Sequence, residues 1–206
     1  MKNLNLAVLI SGDGNTLQNL LELSENGKLN ARIALVVSSN SRAFGIVRAN
    51  GFGIHVRVCE RRHFKSDRLF SDGVTEYIDE VNPDLIVLAG FKCLYLFPKK
   101  YAGKVINIHP ALLPKFGGKG FYGLNVHSAV IDAKERESGC TVHFADLEYD
   151  NGPIILQRKV AVNSYDTPKT LQQKVLIEEN IAYSEAINLF SHGKIVLSDN
   201  KVTILP

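Results

Sequence analysis

Short, almost unbroken apolar runs separated by helix-like stretches constrain most strongly how this chain can fold. Leu4–Ile10 (LNLAVLI), Ala31–Ser38 (ARIALVVS) and residues 85–89 (LIVLA) carry few polar residues, and shorter runs span residues 54–58 and Val105–His109. A strand buried on one face alternates apolar and polar residues, so unbroken runs require cover on both faces. The intervening stretches supply that cover. Residues 16–24 place Leu17, Leu20 and Leu21 on one helical face, residues 42–50 suit a short helix ended by Gly51, and residues 66–81 suit a longer one stopped by Pro83. The pattern predicts an α/β fold with a doubly wound, mostly parallel sheet.

The second half changes character. Residues 111–123 (ALLPKFGGKGFYG) are a glycine-rich loop long enough to act as an active-site flap. A helix is expected over residues 124–133, and strands over residues 140–144 and 154–162 form an antiparallel addition. Pro168–Ser191 is a long amphipathic helix, and residues 194–198 and 201–205 form a terminal hairpin. We expect one domain across residues 1–206.

Bulk properties exclude several classes. A net charge of +3, with 22% charged residues, lacks the clustered basic stripe that nucleic acid requires. The densest basic cluster, Arg57 to Lys65, reads as a solvated loop and helix start. The segment MKNLNLAVLI runs into a strand and is not a signal peptide, and the run from Leu85 to Phe91 is too short to span a bilayer. Cys59, Cys93 and Cys140 show no metal-ligand spacing and suggest a reducing, cytoplasmic setting. No HExxH pattern is present, so no metal is expected.

Two features carry chemistry. The loop SGDGNT after the first strand presents backbone N–H groups at Gly14, Asn15 and Thr16, suited to one phosphate group. A dinucleotide fingerprint would add a third glycine near Leu17 and an acid after the second strand. That strand ends in Ser38-Ser39-Asn40, and GK[ST] is absent. The loop also suits a plain tight turn. The second feature joins Asn107-Ile108-His109-Pro110 to Asp150-Asn151-Gly152-Pro153. Alternation puts Asn107 and His109 on one face of a strand that Pro110 ends, with Asp150 available to orient the imidazole. An amide donor, a base and a carboxylate suit acyl-group chemistry without a covalent nucleophile. Taken alone, the same residues also suit a turn with a satisfied polar histidine. Outside these features, Asp13 reads as a turn residue, Cys140 as core, His127 as a surface or flap residue, and Glu179 as part of a charged helix face. His143 reads as structural or as part of the site.

The strings LISGDGNTLQ, DLIVLAGF, VINIHPALLPKF, GCTVHF and YDNGPIILQ, in this order, resemble the folate-dependent formyltransferases. The likeness spans about residues 4 to 190, and the glycine loop favours the branch acting on glycinamide ribonucleotide in purine synthesis. The resemblance implies formyl transfer from 10-formyltetrahydrofolate to that amine. Asn107 would donate to the formyl oxygen, His109 would act as the protonated partner, and Asp150 would raise the His109 pKa. Gly14, Asn15 and Thr16 would hold the substrate phosphate and Glu179 the ribose hydroxyls. Lys92, Cys93, Leu94 and Tyr95 would line the folate pocket, differing from the family's usual residues there. A folate-tail arginine of some members falls on Asp67, beside Arg68, and Lys119 of the flap could meet the folate glutamates. The partners implied are these small molecules, with a monomer or homodimer. Deformylation and ligand binding without catalysis are the alternatives, and deformylases usually add an N-terminal domain.

Overall fold

The computed structural model describes residues 3–206; Met1 and Lys2, the start of the segment read above as running into a strand, lie outside the described residues. In chain order the elements are β1 (Leu4–Ile10), α1 (Asn15–Glu25), β2 (Ala31–Ser38), α2 (Phe44–Gly51), β3 (Val56–Val58) and α3 (Asp67–Asp79). They continue with β4 (Leu85–Leu88), β5 (Val105–His109), α4 (Leu124–Asp132), β6 (Glu137–Phe144), β7 (Ile154–Ala161), α5 (Pro168–Ser191), β8 (Ile195–Ser198) and β9 (Lys201–Ile204). The main sheet has the order β3-β2-β1-β4-β5-β6-β7, and β8 and β9 form a separate hairpin. β1 to β5 run parallel, whereas β6 and β7 join antiparallel. The expected α/β architecture, with its antiparallel addition, is present.

Alternation along β1 explains its apolar run. Leu6, Val8 and Ile10 face a core shared with α1 and α5, while Ala7 and Leu9 face a second core shared with α3. All five are fully buried. Each face of the sheet therefore removes apolar area from water, the dominant favourable term in folding.

The end of α2 and the start of β3 differ from expectation for one reason. α2 includes Gly51, and the left-handed residue that ends it is Gly53, at φ 67°. The N–H of Ile54 donates to Ala49 O at 3.0 Å and that of Gly53 to Asn50 O at 3.0 Å, a Schellman closure. Ile54 is spent on this cap, so β3 begins at Val56 rather than at residue 54. The basic cluster after β3 is also more organised than a solvated loop. Buried Glu60 pairs with Arg62 at 2.6 Å and lies 3.3 Å from His63, and Arg61 pairs with Asp67 at 2.7 Å.

β1 is flanked by β2 on one side and β4 on the other, so chain direction across the sheet reverses between β1 and β4. Open α/β sheets bind ligands beyond the carboxyl ends of the strands at this crevice. Buried Tyr183 of α5 braces that end, its hydroxyl lying 3.1 Å from Leu88 O and 3.0 Å from Ile106 O. Tyr183→Phe leaves both carbonyls without this donor. We expect a loss of about 1–2 kcal/mol in urea unfolding with the fold retained. Unchanged stability would show that the brace contributes nothing.

Candidate active site

β5 and β6 bring the polar cluster together. Their antiparallel register sets Asn107 opposite His143 and His109 opposite Thr141. Directly opposed residues share a face and touch, so the strand pairing itself places two histidines and an amide side by side. Asp150 arrives from the turn between β6 and β7, with φ 55°. Gly152 in that turn passes so close to β6 that an added Cβ would lie 1.9 Å from Phe144 O.

Asp150 joins the parts. Its Oδ1 accepts from Asn107 Nδ2 at 3.2 Å and lies 3.7 Å from His143 Nε2. Its Oδ2 accepts from the Gly118 N–H at 2.9 Å and lies 3.3 Å from His109 Nδ1. Burial raises the Asp150 pKa, but polar contacts from His143, the His109 charge and the Gly118 amide bring it below the ordinary carboxylate value. The carboxylate stays ionised.

The flap decides which nitrogen of His109 titrates. Phe116 O lies 2.7 Å from His109 Nε2 and can only accept, so Nε2 carries a proton. Nδ1, facing Asp150, is then the nitrogen that gains and loses one. Burial lowers the His109 pKa, while Asp150 and the Phe116 carbonyl raise it; the net direction is downward. Asp150 acts in the expected, raising sense, and burial outweighs it. His143 is part of this cluster. Its Nδ1 donates to Phe144 O at 2.8 Å; in the neutral ring Nε2 then accepts from Asn107 Nδ2 at 3.1 Å, and in the protonated ring it donates toward Asp150.

The base of the flap is fastened by Thr141, whose alternation with His143 was the only hint in the sequence. Its buried hydroxyl donates to Ala111 O at 2.7 Å and accepts from Leu113 N at 3.0 Å and Gln157 Nε2 at 2.9 Å. At the far end of the flap, Lys92 Nζ lies 5.4 Å from the centroid of the Tyr122 ring, linking it to the loop after β4.

These groups open into one cleft of about 860 Å³, lined also by the glycine loop, Lys92–Tyr95, Lys119, His127, Lys169, Gln172 and Glu179. The first turn of α1 has Gly14 as its cap, at φ 71°, with no side-chain cap and no acidic residue. Its leading N–H groups, at Asn15, Thr16 and Leu17, are free for an anion. Glu179 is no ordinary member of a charged helix face. Among the described residues it meets the cleft without a hydrogen-bond or ion-pair partner, and burial pushes its pKa up to about 8. Tyr95 borders the cleft but is 3% exposed, and its hydroxyl lies 3.0 Å from Thr75 Oγ1. The Asp67 carboxylate is held by Arg61. His127, expected at the surface, is 1% exposed within α4, with Nδ1 lacking a partner among the described residues. The helical period turns it inward beside Val126 and Val130. Among the described residues no cluster suited to a metal ion occurs.

A carboxylate–imidazole pair, an amide and a glycine-capped helix start share one cleft on this sheet, an arrangement suited to group transfer. A family model for formyl transferase matches residues 4–187, and the chain belongs to that family. Phosphoribosylglycinamide formyltransferase of Haemophilus influenzae is 37% identical over 95% of this chain and 91% of its own. The Escherichia coli enzyme of that name is 34% identical over 96% and 92%. The crystal structure of glycinamide ribonucleotide transformylase 1 from Symbiobacterium toebii has a TM-score of 0.92 at 35% identity, covering 99% of this chain and 95% of that one. Within the family, the chain therefore groups with the phosphoribosylglycinamide formyltransferases. A formyltetrahydrofolate deformylase from Pseudomonas syringae, at 22% identity and TM-score 0.86, shares the fold.

Burial lowers the His127 pKa from 6.5 to about 4, with the charge of nearby His109 adding to the effect. The unfolded chain therefore takes up a proton on His127 before the folded one does. The stability from neutral His127 is present above about pH 6.5 and is lost as pH falls toward 4. We expect His127→Leu to lose about 2 kcal/mol less than the wild type between pH 7.5 and 5 in urea unfolding. Parallel pH dependences would refute this.

Proposed function

We propose that the cleft transfers the formyl group of 10-formyltetrahydrofolate to the amine of glycinamide ribonucleotide, a step of purine synthesis. The observation that carries this reading is the opening of the glycine loop, Glu179 and the Asn107/His109/Asp150 cluster into one cleft. An anion site, an acid suited to sugar hydroxyls and a cluster able to handle an acyl group are the parts such an amine substrate needs. The family relationship supports the same assignment.

In this reading the substrate phosphate sits on the N–H groups at Gly14, Asn15 and Thr16, and Glu179 meets the ribose. With a pKa near 8 its carboxyl is largely protonated at neutral pH, so it can donate to one hydroxyl and accept from another. The folate ring lies along Lys92, Cys93, Leu94 and Tyr95, with Lys119 and Lys92 able to meet its acidic tail.

The amine nitrogen attacks the formyl carbon directly, and the carbonyl oxygen becomes an oxyanion. Asn107 Nδ2 has both protons engaged, at 3.1 Å to His143 and 3.2 Å to Asp150. Exchanging the longer contact for the formyl oxygen supplies an oxyanion donor. Protonated His109 Nδ1 adds a second donor and gives its proton to the folate nitrogen as the carbon–nitrogen bond breaks. The proton lost by the attacking amine restores the imidazolium, so protons balance over the cycle. Asp150 favours the charged ring that burial disfavours. Phe116 O fixes the ring orientation, and the flap keeps water from the formyl carbon. The same reading takes the chain as one catalytic domain in the cytoplasm, with three unpaired cysteines in keeping with a reducing compartment.

Asn107→Ala removes one oxyanion donor. We expect turnover to fall on the order of a hundredfold or more, with the formylfolate Kd little changed. Near wild-type turnover would remove Asn107 from the mechanism. Folate release measured with the amine present and omitted tests the whole reading: release only with the amine supports transfer. Equal release without it would identify a hydrolase instead.

A further inference from the structure

α2 packs against the glycine loop more closely than any side chain other than hydrogen would allow. An added Cβ on Gly14 would lie 2.7 Å from Gly45 Cα, and one on Gly45 would lie 2.6 Å from Ile10 Cδ1. The Gly45 N–H donates to Gly12 O at 3.1 Å. This contact brings Arg48, three residues further along α2, over the loop. Arg48 Nε donates to Asp13 O at 2.8 Å, Nη2 to Asn15 Oδ1 at 3.0 Å and Nη1 to Gln18 Oε1 at 3.2 Å. The Phe44 ring lies 5.0 Å from its guanidinium carbon, backing the group on one side.

All three acceptors are neutral oxygens, and Arg48 makes no ion pair with a carboxylate among the described residues. Arg57, Arg61, Arg62, Arg68 and Arg158 each have an acidic partner, whereas among the described residues Arg32, Arg42 and Arg136, which lie away from the glycine loop in sequence, share with Arg48 the lack of one. Arg48 thus brings an unneutralised positive charge to the turn whose N–H groups are free. The exposed Asp13 carboxylate opposes it from the same loop, while its backbone oxygen is held by the guanidinium.

We propose that Arg48 is the positioning residue of the phosphate site. Its fork holds Asp13, Asn15 and Gln18 so that the leading N–H groups of α1 converge, and its charge makes the site favour a phosphorylated amine over an unphosphorylated one. This rests on the placement of the substrate phosphate at Gly14–Thr16 given above. Lysine keeps the charge but lacks the planar fork, so the two contributions are separable.

The test compares glycinamide ribonucleotide with glycinamide riboside, the same amine without phosphate, in the wild type, Arg48→Met and Arg48→Lys. In Arg48→Met we expect KM for the ribonucleotide to rise on the order of tenfold to a hundredfold, with kcat within about threefold. The kcat/KM for the riboside should move by less than about threefold, so the preference for phosphate collapses. Arg48→Lys should fall between the two, retaining preference through charge while losing the loop geometry. Thermal unfolding and the KM for formylfolate report whether each variant is folded. An equal loss of kcat/KM on both amines, or a wild-type preference retained by Arg48→Met, would overturn the proposal. A wild-type enzyme blind to the phosphate would instead overturn the placement of the phosphate itself, and the proposal with it.

Discussion

The buried carboxylate of Asp150 is the contact on which the site depends. It gathers Asn107 and His109 from β5, His143 from β6 and the Gly118 amide from the flap. A charge at this depth is costly unless its oxygens are satisfied, and here both are. Two strands, a turn and a loop are thereby tied to one group. Asp150 keeps its own backbone in the left-handed region, and, two residues on, Gly152 passes close against Phe144 O.

His109 is governed by opposing effects, of which burial is the larger. Burial disfavours its charged form, while the Asp150 carboxylate and the Phe116 carbonyl favour it. A ring held between such effects can carry a proton when charge develops nearby and release it afterwards, the requirement for a general acid that must be regenerated. The carbonyl that fixes its tautomer belongs to the glycine-rich loop, so that loop also orients the ring.

The anion end of the cleft is built by different means. The glycine loop contributes backbone rather than side chains, and its shape depends on the close approach of two helices at Gly14 and Gly45. The reversal of strand order between β1 and β4 opens the crevice, and β5, next to β4, extends the same edge to the Asn107/His109/Asp150 cluster.

The sequence by itself determined the fold class, the positions of the glycine loop and flap, and the trio Asn107, His109 and Asp150. Each was written in local chemistry: unbroken apolar runs, a strand-to-helix glycine turn, and alternation ended by Pro110. Tertiary structure decided what periodicity could not express. His127 and Glu179 sit on helices whose surroundings come from distant segments, so their burial and shifted pKa values were invisible locally. Gly53 rather than Gly51 ended α2 because the hydrogen bonds of the cap, not composition, select the left-handed residue. The direction of the His109 shift depended on how far the sheet and flap exclude water, a property of the packed whole. Desolvation is a sum over everything nearby in space, and sequence order records only what is nearby along the chain.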